Sequence, residues 1–167
     1  MYRMRYIGDP VLRRATAPVT EFDKELKKII KNMIETMHFQ EGIGLAAPQV
    51  GILKKLLVVD ISDMEDEDAK GPEAFLNPLI LESSGEATLE EGCLSIPDVR
   101  EDVTRPEKIR LQYNDASGEE HINEYDGWMA RVLQHEIDHI NGILFVDHIS
   151  PLKQQLLFQT EQIPEKY

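Results

Sequence analysis

The chain has 167 residues, 41% hydrophobic and 29% charged, with 18 Lys and Arg against 31 Asp and Glu, a formal net charge of −13. That length predicts a single domain over 1–167 with a core of its own, and that charge disfavours a broad phosphate-reading surface, direct nucleic-acid binding or adhesion to anionic lipid. One cysteine, Cys93, excludes an internal disulfide; no apolar run reaches the roughly 18 residues of a membrane span, and the basic start Met1–Tyr6 has no signal-peptide core behind it, so a reducing, cytoplasmic setting is expected.

Phe22, Leu26, Ile29, Ile30, Met33 and Met37 recur at helical spacing and predict a first helix that stops near Gly42, with Thr20 and Asp23 as a weak capping box. Leu56–Ile61 reads as a buried strand and Phe75–Leu81 as another, with a bulge or an edge at Pro78. Between them, 62–73 hold Asp63, Glu65, Asp66, Glu67, Asp68 and Glu73 against Lys70, which reads as the solvated loop of a hairpin. The stretch lacks the central glycine and closing glutamate of a calcium-binding loop. Glu86–Glu91 reads as a strand. Ile109, Leu111 and Tyr113 alternate with polar residues as a further one, and the turn Asn114–Gly118 returns the chain through 119–125. After Gly127 the period is helical again up to Asn141-Gly142, and Pro151 opens a short helix through Leu157 in the tail 151–167. Helix, antiparallel or mixed strands, helix and short helix make an α+β fold.

The strongest chemical signal is His135-Glu136-Ile137-Asp138-His139, which on a helix sets two imidazoles on one face with a carboxylate beside them. A metal centre of that kind needs a third protein ligand, for which Cys93 upstream and Asp147 and His148 downstream are the candidates. His38, His121 and His148 lack such geometry and read as ordinary surface residues. Gly42–Gly51 carries three glycines and almost no charge, which suits a backbone that runs close to a ligand, and Gln49 is its one polar side chain with donors.

Gly42-Ile43-Gly44-Leu45-Ala46-Ala47-Pro48-Gln49, Glu91-Gly92-Cys93-Leu94-Ser95 and His135-Glu136-Ile137-Asp138-His139 together resemble the three signature motifs of the peptide deformylase family. They stand in that family's order, and Arg13–Thr16, Pro97–Arg100 and Asp126–Val132 extend the resemblance over about residues 5–150. It implies a deformylase-like fold packed around a central HExxH helix and a single catalytic domain that takes the formyl group from the initiator methionine of nascent polypeptides. It also implies one divalent ion on Cys93, His135 and His139, natively iron, with zinc or nickel accepted, and water in the fourth position. Glu136 is then the general base, and the Gln49 amide and the Leu94 backbone N–H stabilise the oxyanion. The methionine pocket falls on Ile43, Leu89, Glu91, Trp128, Arg131, Val132 and His135, while Gly44 offers backbone groups to the peptide. Glu91 is expected to pair with Arg100 under the loop.

Ala47-Pro48 stands where the family often has Ala-Thr, and Asp98 where it often has glycine or glutamate; neither change touches a ligand. In the tail, Lys153 and Lys166 balance Glu161 and Glu165, so no strongly basic segment is offered to the ribosome, and a monomer is expected. Two rival readings share the HExxH helix: a metalloendopeptidase whose third ligand lies outside Cys93, and a non-catalytic binder of formylated peptides indifferent to Glu136→Gln.

Overall fold

In the computed structural model, which describes residues 1–64, 70–165 and 167, helix α1 spans Lys24–Phe39. Asp23 itself caps it, accepting the Leu26 N–H at 3.0 Å, so Thr20 lies outside the helix rather than at its cap. The strands are, in chain order, β1 (Gly44–Ala46), β2 (Leu56–Val59), β3 (Glu73–Ser84), β4 (Ala87–Cys93), β5 (Ile96–Arg105), β6 (Lys108–Asn114) and β7 (Glu120–Tyr125). Helix α2 follows at Gly127–Ile140 and α3 at Pro151–Gln159, the latter capped by Ser150.

Two sheets result. Five strands lie in the order β1-β2-β3-β6-β7, and β4 and β5 form a separate hairpin between β3 and β6 in sequence. Each of these strand pairs is antiparallel, which fits the expected α+β class. All four residues of β2 are buried because a helix covers each face of the sheet. Leu57 and Val59 pack with Met129, Leu133 and Ile137 of α2, whereas Leu56 and Val58 pack with Leu26, Ile30, Met33 and Met37 of α1. The alternation of a strand thus sorts its side chains between two helices.

Where the structure departs from the sequence reading, the cause is local. The β3–β6 register shifts between Leu76 and Leu79, the irregularity expected at Pro78, yet the strand continues to Ser84. Asn77, at φ 51°, turns its amide out of the ladder to bind the Val19 backbone and Asn114. β5 is not evident in the sequence because its inward face, Val99, Glu101, Val103 and Arg105, mixes two valines with two charged residues, and buried Ile96 is out of phase with them. β1 is only three residues long and wholly buried, so it carries no alternation either. Antiparallel β2 and β3 flank the acidic stretch as a hairpin would, and residues 65–69 of that stretch lie outside the described residues. Among the described residues no helix is long and apolar enough to cross a membrane.

The first sixteen residues stitch three elements together. Arg5 N–H donates to the Gln49 carbonyl at 2.7 Å and Ile7 N–H to that of Ser95 at 2.8 Å. At the C-terminus of α2, where carbonyls lack helical partners, Thr16 Oγ1 donates to Ile140 O at 2.9 Å and Arg13 Nη1 to Gly142 O at 2.7 Å. Arg13 also grips Asp147 at 2.7 and 3.1 Å.

Candidate active site

Helix α2 delivers His135, Glu136 and His139, and the β4–β5 turn delivers Cys93. One donor atom from each of Cys93, His135 and His139 lies within 4.8 Å of the others, and Cys93 Sγ stands 3.2 Å from His139 Nε2. The other two third-ligand candidates are engaged elsewhere: Asp147 with Arg13, and His148 with Asp138 at 2.8 Å.

Gln49 sits in a 3-10 turn, Ala47–Val50, that Pro48 helps start. Its Oε1 accepts the Ala46 N–H at 2.9 Å, which fixes the amide orientation. Its Nε2 then donates to Ser95 Oγ at 3.1 Å and faces Cys93 Sγ at 3.5 Å. At Gly44 an added Cβ would stand 2.8 Å from Val132 Cγ1 and 3.0 Å from Glu136 Cγ. Only glycine lets β1 lie this close to the catalytic helix.

Glu136 is 3% exposed, and its Oε2 has no hydrogen-bond partner; neither has His139 Nδ1. Burial pushes the Glu136 carboxyl up to about 7, poised to exchange a proton near neutrality. For His135 burial acts downward, but the hydrogen bonds to Cys93 and Glu91 outweigh it and raise the imidazole to about 10. Burial, then the charge of His135, drives His139 well below the ordinary histidine value. The cluster thus favours positive charge between Cys93, Glu91 and Glu136. A divalent ion supplies such charge, and a thiolate with two imidazoles is a donor set that holds one.

Behind His135 lies a buried ionic network. Glu91 Oε2 accepts from Arg105 Nε and Arg131 Nη1, each at 2.6 Å, and Oε1 accepts from Arg105 Nη2 and bonds His135 Nδ1, each at 2.9 Å. Burial alone would raise Glu91, but the bonds from His135 and Arg105 prevail and hold it well below the usual carboxylate range.

The sequence profile of the polypeptide deformylase family matches residues 1–155. The chain belongs to this family. It is 49% identical over 158 residues to the peptide deformylase of Thermotoga maritima, covering 94% of this chain and 92% of that protein. The structure resembles that of a peptide deformylase from Synechococcus elongatus in complex with actinonin, with a TM-score of 0.90 and 42% identity over 98% of this chain and 89% of the other. It also resembles a peptide deformylase from Legionella pneumophila, with a TM-score of 0.87 and 40% identity over 95% and 92%.

The deformylase motifs converge on one cavity of about 520 Å³, which Cys93, Leu94 and Glu136 line. Of the residues expected in the family's methionine pocket, Ile43, Glu91, Trp128, Arg131, Val132 and His135 line it, together with Gly44. Leu89 is 38% exposed on β4 and lies outside that lining. One wall went unforeseen: Asp98, Val99 and Arg100 of β5. The expected Glu91–Arg100 pair is not formed. Arg100 stands opposite Gly92 in the hairpin, so its side chain shares a face with Glu90, which it binds at 2.6 Å. Glu91 points to the other face, where Arg105, opposite Ala87, takes the place expected for Arg100. A strand assignment for 96–105 is what would have revealed Arg105.

Proposed function

We propose that this chain hydrolyses the N-formyl group of the initiator formyl-methionine of nascent polypeptides and releases formate, with Cys93, His135 and His139 holding one divalent ion. The observation that carries the reading is the meeting of a cysteine sulfur, two imidazoles and a buried carboxylate oxygen without a partner, with Cys93, His135 and Glu136 opening onto one cavity. When bound, the ion supplies Lewis-acid polarisation and lowers the pKa of a water molecule. Glu136 takes the proton of the attacking water and passes it to the departing methionine amine. Negative charge grows on the formyl oxygen, and the Gln49 side-chain N–H and the Leu94 backbone N–H donate to it. The Ala46 N–H keeps the Gln49 amide from flipping, so its donors rather than its oxygen face the reaction. Ile43, Trp128 and Val132 offer apolar wall to the methionine thioether.

Residues 1–167 act as one catalytic domain, a monomer in a cytoplasmic setting. The native ion is ferrous iron, which zinc or nickel replaces; the soft-and-borderline donor set accommodates all three. Lys153 of α3 is engaged with Glu101 at 3.2 Å. An anaerobic assay of metal-replete protein on a formyl-Met peptide tests the function: free formate is expected. Folded, metal-loaded protein that releases none overturns the reading, and cleavage of internal peptide bonds instead turns it to the endopeptidase.

A further inference from the structure

The two imidazoles of the cluster differ in what holds them. His139 Nδ1 is buried without a partner, whereas His135 Nδ1 lies 2.9 Å from Glu91 Oε1. An ionised carboxylate only accepts, so Nδ1 of His135 carries a hydrogen and Nε2 is the nitrogen left for a ligand. The orientation of that carboxylate is set in turn. Arg105 presents a two-pronged grip, Nε to Oε2 at 2.6 Å and Nη2 to Oε1 at 2.9 Å, which fixes the plane of the Glu91 carboxylate. Its remaining nitrogen, Nη1, donates to Asp138 Oδ2 at 2.8 Å on α2, next to His139 in the chain. Arg105 is 5% exposed, and with Arg131 it offsets the charges of Glu91 and Asp138 in the protein interior. One guanidinium on β5 thereby ties the hairpin that carries Cys93 to the helix that carries both histidines.

We propose that Arg105 is a positioning residue for the metal centre: acting through Glu91, it sets the tautomer and ring angle of His135 and seats the Cys93 hairpin against α2. The proposal rests on Cys93, His135 and His139 being the metal ligands. A lysine at 105 keeps the charge but is a point donor without the planar fork, so the Glu91 plane is freed while the local charge balance stays. Removing a partner of this kind typically costs about 10- to 100-fold in metal affinity.

The test measures Zn²⁺ affinity by competition with a chromophoric chelator for the parent, Arg105→Lys and Arg105→Met, with Arg110→Lys as a control at an exposed arginine. The His135 Nδ1 proton is followed by NMR in the zinc-loaded protein, and far-UV circular dichroism monitors the fold. Arg105→Lys is expected to weaken Zn²⁺ binding by about 10-fold or more and to move the Nδ1 signal, with Arg110→Lys matching the parent. A folded Arg105→Lys with parental affinity and an unmoved Nδ1 signal overturns the proposal. Should both Arg105 variants fail to fold, Glu91→Gln decides: it leaves Nδ1 an acceptor oxygen but gives Arg105 no carboxylate to grip. Weakened binding there supports the pair, and parental affinity refutes it. A Cys93→Ala protein that binds Zn²⁺ as tightly as the parent strikes the ligand assignment itself, so the two failures are distinguishable.

Discussion

Among the described residues, two clusters bring together metal-ligating side chains with donor atoms within 4.8 Å: Cys93, His135 and His139 between α2 and the β4–β5 hairpin, and Asp115, Glu119 and His121 at the β6–β7 turn. Each contains a histidine hydrogen-bonded to a carboxylate, at 2.9 Å for His135 with Glu91 and 2.7 Å for His121 with Asp115. At the turn both Asp115 oxygens are used locally. Asp115 Oδ1 takes the Ser117 N–H, the Ser117 hydroxyl and the Glu119 N–H, and Oδ2 takes His121. In the Cys93 cluster, Glu136 Oε2 and His139 Nδ1 stay buried and unpartnered beside the cysteine sulfur. Residue type and proximity are common to both. The difference lies in buried polar atoms that the fold does not satisfy, whose cost marks places kept for a ligand or a reaction.

The contrast breaks most completely at Cys93. Cys93→Ala removes the one soft donor and is expected to bring formate release down to that of metal-stripped protein, with bound metal by elemental analysis falling in step while far-UV circular dichroism is unchanged. Metal retained at parental stoichiometry would leave the two clusters alike. Next comes Glu136→Gln, which spares the three proposed ligands and removes the proposed proton acceptor. Turnover is expected to drop by about 10²- to 10⁴-fold with metal content intact, and a rate near that of the parent would take the base role away from Glu136.

The smallest effect belongs to the turn. His121 is raised above its ordinary 6.5, chiefly by its hydrogen bond to Asp115, and Asp115 is lowered from 3.8, chiefly by the Ser117 hydroxyl and then His121. A raised histidine contributes stability that is complete below 6.5 and fades as pH rises through its folded value. A lowered aspartate contributes stability that is present above 3.8 and fades as pH falls through its folded value. Both contributions coexist between pH 3.8 and 6.5. His121→Gln should therefore lower the melting temperature most in that window and progressively less at alkaline pH, with formate release at neutral pH unaltered. A melting difference that grows above pH 8 contradicts the assignment.

The catalytic helix is legible in the sequence because helical spacing alone places His135, Glu136 and His139 on neighbouring positions. Strand β5 is not, because Glu101 and Arg105 sit on the same alternating face as Val99 and Val103 and hide its apolar period, and its register with β4 shifts between Gly92 and Cys93. That single omission explains the mistaken partner for Glu91: without a register, the nearer Arg100 looks as suitable as Arg105. Gln49 stands out in sequence as the lone donor in an apolar segment. Its orientation depends on the Ala46 N–H and on Ser95, contacts that appear only when β1 and the hairpin turn are side by side.

The bonds made by residues 5–16 carry a consequence for how the chain folds. Their acceptors are Gln49, Ser95, Ile140, Gly142 and Asp147, and the Arg13–Asp147 contact spans 134 residues. Contacts of that separation close large loops, whose entropy is lost before the contact repays it. The 3-10 turn, the hairpin and the end of α2 are thus drawn together by a strap of non-local bonds, so the three segments of the centre reach their final spacing only when the whole domain has closed.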